Sequence, residues 1–360
     1  MKVLLNGATG GTNFGDYLFA EIFNQEVSKN VGKENVFWYE SRYCMSDFYK
    51  RHLNYETKKY KLREIDALIC VSGGYFCGND KRIRDYIIRY LRYFHLCVRC
   101  IRRKIPIAII GVEVSKPKLK LMEKIERFIL KESSLVVVRN EESYNQLLNY
   151  GIKNGICTAD TAHIISADFC DAFSLPENIA RLKKRKLFFH IQASCMEVAY
   201  KMLDAVNVFL ANHEEYDVVL GLDQYIREKN FLDDFSKKVR CRNVVVYNYD
   251  NPIELCKVLS NMDFILTPKL HVGIIGATFS KSVLSFSDHS EKICRFYNQL
   301  NESGRSLSMC DFSTEKAVEM MEVYHLRSLN VPQKTIEKSK LNLKIMNEFL
   351  DELSARKEQY

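Results

Sequence analysis

The sequence contains little proline or glycine and no long hydrophobic run. Six prolines and fifteen glycines in 360 residues exclude a chain rich in flexible linkers or low-complexity tracts. No stretch approaches the roughly 20 apolar residues of a membrane span. The N-terminus, MKVLLNGATGG, has too short an apolar part for a secretory signal peptide. These absences predict a globular protein of the cytoplasm.

Cysteine is frequent, but its spacing is not that of a disulfide framework. The twelve cysteines are scattered, and several lie inside apolar runs, which is typical of buried reduced thiols. Cys97 and Cys100 form one Cys-x-x-Cys pair without a second pair at zinc spacing. His95 would be a third ligand, but we regard this as the minor interpretation and predict no metal.

Acidic residues are outnumbered by basic ones. The 53 Lys and Arg against 45 Asp and Glu give a formal charge of +8. This moderate excess favours anionic partners, such as a phosphorylated metabolite, a membrane surface or nucleic acid. Because aromatic and basic residues are not interleaved on a recognisable nucleic-acid scaffold, we expect no nucleic-acid partner.

Short apolar runs alternate with segments of helical periodicity, the pattern of parallel sheets flanked by helices. The pattern stops at the polar residues 168–185 and then restarts. We therefore predict two Rossmann-like, doubly wound α/β domains, residues 1–168 and 186–312, facing a cleft. Residues 313–360 contain a charged helix that we expect to return to the first domain. The predicted strands are 3–5, 67–71, 105–111, 135–138, 156–158, 187–191, 218–221, 244–247, 264–267 and 282–286.

Two glycine-containing segments follow predicted strands of the first half. Residues 10–16, GGTNFGD, connect the first strand to a helix, and backbone N–H groups there can approach an anion closely. Ser72-Gly73-Gly74 ends the second strand on the same sheet edge, where free N–H groups would add to an anion-binding rim. The alternatives are a tight turn with Asp16 at the helix start and a glycine pair that serves packing.

The most informative segment is residues 263–271, DFILTPKLH. A strand ends at Thr267, and Lys269 and His271 open the apolar helix that follows. This arrangement predicts an anion site that contains a proton-transfer group. The alternative is a histidine that caps a buried turn. Arg139 follows another predicted strand, and Lys292 lies downstream as a further candidate cation.

Over most of its length, the chain resembles the polysaccharide pyruvyltransferase family. The order and spacing of four motifs carry the resemblance. One position departs from the family, because Lys269 stands where the family has arginine, and a lysine cannot hold a carboxylate bidentately as an arginine can. The motifs are Asn13-x-Gly15-Asp16; Ser72-Gly73-Gly74; Arg139-x-x-x-Ser143 followed by Gly151 and Asp160; and Lys269-x-His271 followed by Lys292 and Phe296.

The resemblance implies a glycosyltransferase-B-like pair of domains and a transferase that forms a ketal between pyruvate and sugar hydroxyls of a cell-surface polysaccharide precursor. Phosphoenolpyruvate would be the co-substrate, with no cofactor and no metal. His271 would be the acid/base, and the cations would hold the donor's carboxylate and phosphate. The residues expected to bind substrate are Lys269, Arg139, Lys292, Asn13, Gly15, Asp16, Gly73 and Gly74.

Two other functions remain alternatives. One is a sugar-nucleotide glycosyltransferase of the same architecture, and the other is a basic module that binds membrane surfaces. The latter rests on residues 82–103, a basic amphipathic stretch predicted as one helix with its apolar stripe on the core. Contact of this stretch with an anionic membrane would suit a lipid-linked acceptor. The apolar residues of the stripe are Ile83, Ile87, Leu91, Phe94, Val98 and Ile101.

Overall fold

The chain forms two α/β units in a computed structural model that describes residues 1–40, 45–77, 82–166, 168–225, 230–288 and 290–358. Unit 1 consists of Met1–Thr12, Asp16–Ile164 and Lys334–Tyr360. Unit 2 consists of Ile165–Gln333 together with the three residues Asn13–Gly15, whose contacts place them there.

Unit 1 is built on a sheet whose paired strands all run parallel. The strand order is β2-β1-β3-β5-β6-β7, and β4 extends the β3 position by pairing with the second half of β5. All eight residues of β5 are buried, as expected for a central strand covered on both faces. The strands are β1 Val3–Asn6, β2 Val36–Trp38, β3 Ala67–Cys70, β4 Gly73–Phe76, β5 Ile107–Val114, β6 Leu135–Val138 and β7 Ile156–Cys157.

The first six helices follow these strands. Helix α6 begins at an Asn140 cap, whose side chain accepts from the Ser143 N–H. Gly151, the residue after the Tyr150 cap, has a φ of +74° that suits glycine, and the N–H of Ile152 then bonds back to the carbonyl of Leu147. The helices are α1 Phe14–Val31, α2 Asp47–His52, α3 Ile83–Arg89, α4 His95–Arg102, α5 Lys120–Glu132 and α6 Glu141–Asn149.

Unit 2 is a doubly wound sheet of six described strands, all parallel in the order β10-β9-β8-β11-β12-β13. The chain starts at the central strand β8, moves outward through β9 and β10, and then returns to β11 on the other side. The topological switch point, where such folds bind ligands, therefore lies between β8 and β11. The strands are β8 Arg185–His190, β9 Tyr216–Gly221, β10 Val244–Tyr247, β11 Phe264–Thr267, β12 Ser282–Ser287 and β13 Ser306–Ser308.

The helices of unit 2 alternate with its strands. Helix α11 is buried from Val272 to Ala277, so its start is held firmly at the carboxyl end of β11. The helices are α7 Glu177–Ala180, α8 Met196–Asn212, α9 Phe231–Ser236, α10 Pro252–Ser260, α11 Leu270–Thr278, α12 Ser290–Gln299 and α13 Thr314–Tyr324.

The last helix, α14 (Gln333–Glu358), packs on unit 1 from Lys334 onward. Its fully buried Asn342 donates to the carbonyl of Ala159 at 2.9 Å and to the hydroxyl of Thr161 at 3.0 Å. The same amide accepts from the Thr158 hydroxyl at 2.7 Å. These bonds join the C-terminal helix to the carboxyl edge of the first sheet.

Residues 82–103 were predicted as one helix, and the chain is helical without a break from Ile83 to Arg102, but the predicted apolar stripe is wrong. A five-residue π-helical turn, Tyr90–Phe94, separates α3 from α4 and shifts the buried face. As a result, Ile83 and Ile87 are 70% and 54% exposed instead of lying on the core. The side chains that do pack inward are Tyr86, Arg89, Tyr93, Phe94, Leu96, Cys97 and Cys100.

The prediction of an open glycine turn at Ser72-Gly73-Gly74 is also wrong. Gly73 and Gly74 begin β4, and Gly73 pairs with Val112 of β5. The Ser72 hydroxyl lies 2.7 Å from the Thr161 hydroxyl and donates to the carbonyl of Ile110. This segment therefore belongs to the sheet and its supporting hydrogen bonds.

Candidate active site

Polar side chains gather at the carboxyl ends of three adjacent strands of unit 2. His190 ends β8, Thr267 ends β11, and Asp223 follows β9 by two residues. All three are buried, with exposures of 0%, 0% and 3%. Because β8 and β11 flank the switch point, these residues lie where a doubly wound sheet places its ligand.

Hydrogen bonds connect this polar group to the start of α11. Nδ1 of His190 lies 2.7 Å from the Thr267 hydroxyl, and that hydroxyl accepts from the backbone N–H of Lys269 at 3.0 Å. Nε2 of His190 faces Oδ1 of Asp223 at 3.5 Å, an electrostatic contact that is longer than a normal hydrogen bond. The chain Asp223–His190–Thr267 thus fixes the backbone at Lys269.

Asp223 is a buried carboxylate among cationic side chains. Burial by itself raises the pKa of Asp223, but the contact with His190 and its charge, followed by the charges of Lys269 and His271, lower it below its ordinary value. Asp223 is therefore ionised at neutral pH, and its negative charge balances part of the positive charge of this site.

The segment Asn13–Gly15 lies against the same group of residues. The N–H of Phe14 donates to the carbonyl of Asp223 at 2.9 Å. Gly15 is buried directly against the imidazole of His271, so closely that a Cβ at this position would overlap the ring. Only glycine fits there, which gives a physical reason for the glycine in the Asn13-x-Gly15 motif.

Lys269 and the start of α11 form the cationic end of the site. Lys269 is the N-cap residue, in extended conformation, and its side chain offers no capping oxygen. The first N–H groups of a helix have no acceptor within the helix, and they favour negative charge. A half-buried ammonium beside such a helix start is suited to hold an anionic group of a ligand.

The structure brings together four of the residues predicted from sequence, namely Asn13, Gly15, Lys269 and His271, all of which belong to unit 2. Lys292 is half-buried in the first turn of α12, and Phe296 is buried one turn later. Asp16 belongs to unit 1, where its charge, after burial, raises the pKa of Tyr93.

Arg139 has structural partners in unit 1. Its guanidinium is buried and pairs with Glu113 of β5 and, at 2.7 Å, with Asp160. Burial by itself lowers the pKa of Arg139, but these two carboxylates raise it above its ordinary value. Ser143, of the same motif, accepts from the Val114 N–H at 2.9 Å. We therefore assign the Arg139-x-x-x-Ser143 motif a structural role.

His190, Thr267 and Asp223 were missed in the sequence. Each stands at or just beyond the end of a predicted strand, and a polar residue in that position is a usable signal. Their proximity, however, depends on the strand order β9-β8-β11. Local sequence patterns do not contain that order.

Solved structures with the same fold include sugar-nucleotide enzymes. UDP-GlcNAc 2-epimerase from Methanocaldococcus jannaschii, in complex with UDP-GlcNAc and UDP, gives a TM-score of 0.64 at 12% identity, over 97% of this chain and 100% of that chain. The S. aureus MnaA–UDP structure gives 0.65 at 12%, over 98% and 97%. Spinosyn rhamnosyltransferase SpnG, complexed with spinosyn aglycone, gives 0.51 at 11%, over 99% and 96%. The fold is therefore of the glycosyltransferase-B type.

A search of curated proteins gave no significant match. In contrast, residues 13–290 match the family described as polysaccharide pyruvyl transferase. The match begins at Asn13, extends through Lys269 and His271, and ends at the start of α12, so it includes the whole polar group at the switch point of unit 2. By this match the chain, a transferase of glycosyltransferase-B type, belongs to the polysaccharide pyruvyl transferase family.

Proposed function

We propose that the protein transfers a pyruvyl group from phosphoenolpyruvate to two hydroxyls of a saccharide, forming a ketal in the synthesis of a cell-surface polysaccharide. Family membership supports the reaction class. The observation that carries the proposal for this chain is the placement of Lys269 and His271 at a helix start beside Asp223 and His190, at the switch point of the sheet.

The proposed reaction balances without an oxidant or a metal. A proton is added to C3 of phosphoenolpyruvate, and the first hydroxyl attacks the cationic C2. The C2–O bond to phosphate breaks, and the second hydroxyl closes the ring as its proton leaves. Two hydroxyl protons are released: one balances the proton added to C3, and the other leaves with the phosphate.

In this scheme Lys269 and the N-terminal amides of α11 hold the donor's anionic groups. His271 carries the proton between the acceptor hydroxyl and the donor, a role that contributes about 10²–10⁴-fold to the rate. Asp223, His190 and Thr267 are positioning residues, because they act by fixing the backbone at Lys269 and the charge around His271. Gly15 leaves room for the His271 ring.

The test combines binding and turnover. The protein is screened by thermal shift with phosphoenolpyruvate and with UDP-sugars, since a ligand at 100 times its Kd stabilises the fold by about 2.7 kcal/mol. Phosphate release from phosphoenolpyruvate is then measured with a panel of saccharide acceptors, and the product is identified by mass spectrometry. Phosphate release coupled to a pyruvyl ketal supports the proposal. Stabilisation by UDP-sugars without any response to phosphoenolpyruvate would favour the glycosyltransferase alternative instead.

We also propose that α3 contacts an anionic membrane surface, which would bring the enzyme to a lipid-linked acceptor. Ile83 and Ile87 lie one helical turn apart and are 70% and 54% exposed. Arg82 and Arg84 beside them are exposed as well. Exposed isoleucines close to exposed arginines are typical of a helix that lies in a membrane interface. Among the described helices, none is both long and apolar enough to cross a membrane.

Co-flotation with vesicles tests this contact. Wild type should float with vesicles that contain anionic lipid and lose this association at high salt. The double variant Ile83→Ser/Ile87→Ser should float much less, whereas Val323→Ser, which removes a 58% exposed valine from α13, should behave as wild type. Equal flotation of all three proteins would refute the contact.

A further inference from the structure

A second group of ionisable side chains lies in unit 2 at the amino ends of the strands, opposite the carboxyl ends that carry the site around His271. His213 follows the C-terminus of α8, Glu215 directly precedes β9, and His325 follows the C-terminus of α13. One nitrogen or oxygen atom from each of these three residues lies within 4.8 Å of the others. This group is at the amino ends of the strands, so it is separate from the site around His271.

Two carboxylates meet at His213. Its Nδ1 lies 2.8 Å from Oε1 of Glu215, and its Nε2 lies 2.8 Å from Oε2 of Glu322 on α13. The His213 and His325 rings are 4.6 Å apart between centroids. A histidine gives an ion only one ring nitrogen, and Glu215 and Glu322 lie at opposite nitrogens of His213. The imidazoles of His213 and His325 and the carboxylate of Glu215 are therefore within reach of a single ion.

Tyr216 sets the orientation of His325. The tyrosine hydroxyl donates its proton to the carbonyl of His325 at 3.4 Å. The hydroxyl oxygen therefore accepts a hydrogen bond from Nδ1 of His325 at 3.1 Å. Nδ1 then carries the proton, and the lone pair of Nε2 is available for a ligand bond. Histidine ligands of metal ions are usually held by such a hydrogen bond on the second ring nitrogen.

The rings are held rigidly while the carboxylates face solvent. Phe209 stacks on His213 at 4.1 Å and meets His325 edge-on at 5.4 Å. The side chains of Glu215 and Glu322 are 48% and 41% exposed, against 15% for His213. An ion can therefore enter from solvent, and the exposed carboxylate of Glu215 can adjust around the packed imidazoles.

We propose that His213, Glu215 and His325 bind one zinc(II) ion, with water as the fourth ligand, and that Glu322 orients His213 through its second ring nitrogen. Two imidazoles and one carboxylate are ligands typical of zinc, whereas calcium and magnesium take oxygen ligands. The ion takes the place of the proton that His213 shares with Glu215. It links the connection between α8 and β9 to the end of α13, and thereby stabilises unit 2.

Zinc titration of the full-length, untagged protein tests the site. After treatment with a chelator and its removal, calorimetry should give one zinc per chain, and the melting temperature should rise with zinc. Glu322→Gln and Glu215→Gln, at exposed positions, should each weaken zinc binding by at least about 10-fold. Tyr216→Phe, which removes the hydrogen bond that orients His325, should weaken zinc binding by about 10–100-fold. Glu319→Gln, an exposed change one turn earlier on α13, is the matched control and should bind as wild type.

Cobalt(II) distinguishes this site from a thiol site. The absorption spectrum of the cobalt-loaded protein should lack a thiolate charge-transfer band, because the three protein ligands offer only nitrogen and oxygen. A thiolate band, zinc affinities of Glu322→Gln and Glu215→Gln equal to that of Glu319→Gln, or a wild type that takes up no zinc would each overturn the proposal. A failure of phosphoenolpyruvate turnover would leave it standing, since the two sites lie at opposite ends of the strands.

Discussion

Replacing Gly15 with alanine tests whether the position of the His271 ring governs turnover. Gly15 is buried, and its backbone lies against the imidazole. A methyl group on Gly15 would lie 2.7 Å from Cε1 of His271 and closer still to Nδ1 and Cγ. Side chains essentially never make contacts this short, so the ring or the start of α1 must move.

The size of the effect follows from these distances. Ordinary van der Waals contact begins at 3.4 Å and the added Cβ would lie 1.9 Å from Nδ1, so the ring has to move by about 1.5 Å. A misplacement of this size at a reacting group lowers the rate by about 100-fold. Overpacking of this kind also lowers the free energy of unfolding, by about 1–3 kcal/mol. Turnover should therefore fall far more than the folded fraction does.

Gly273→Ala is the matched control, because this glycine lies on α11 two residues after His271. Its added Cβ would meet the Tyr297 hydroxyl at 3.5 Å and the Ser285 hydroxyl at 3.6 Å, which are ordinary contacts. Alanine is also favoured over glycine within a helix by about 1 kcal/mol. Phosphate release from phosphoenolpyruvate and thermal unfolding are measured on the same preparations. Equal turnover of Gly15→Ala and Gly273→Ala would refute the reasoning.

Three further predictions concern single side chains. Lys269→Ala should weaken phosphoenolpyruvate binding in calorimetry. Lys269→Arg should retain or improve this binding, because a guanidinium can hold a carboxylate with two hydrogen bonds. A large loss of binding in the arginine variant would mean that the pocket suits another ligand. Arg139→Ala should lower the free energy of unfolding by about 3–5 kcal/mol in denaturant titrations, since Glu113 and Asp160 would remain buried without a cation, and an unchanged value would contradict this pairing. Burial lowers the pKa of His163 to about 4, so between pH 6.5 and 4 the unfolded chain binds a proton that the folded chain does not. Stability should fall by about 1.4 kcal/mol per pH unit on acidification through this range, and the same slope in His163→Gln would assign it to other groups.

The strand pattern of both units could be predicted because strands buried on both faces read as short apolar runs. Residues 264–267 were predicted as a strand and form β11, and residues 218–221 lie within β9. Three of the described strands were missed. Two of them lack such a run, since β4 begins with Gly73 and Gly74 and β13 reads Ser-Leu-Ser. The third, β2, is an apolar run of only three residues, Val36–Trp38.

Local patterns failed where a partner comes from a distant part of the chain. Lys269 and His271 could be recognised because they share one strand-to-helix turn. Arg139 was predicted to bind substrate because the sequence does not show that Glu113, in the middle of a buried strand, faces it. The π-helical turn at Tyr90–Phe94 changes the buried face of the helix, so that Ile83 and Ile87 are exposed. No residue type within Tyr90–Phe94 predicts such a turn.

The turnover of His271→Gln tests the central claim most directly. Glutamine has a similar reach but does not titrate, so it removes the proton transfer and keeps most of the volume of the side chain. Phosphate release from phosphoenolpyruvate with a saccharide acceptor should fall by about 10²–10⁴-fold, while the melting temperature stays close to that of wild type. A stable His271→Gln protein with wild-type turnover would contradict the account.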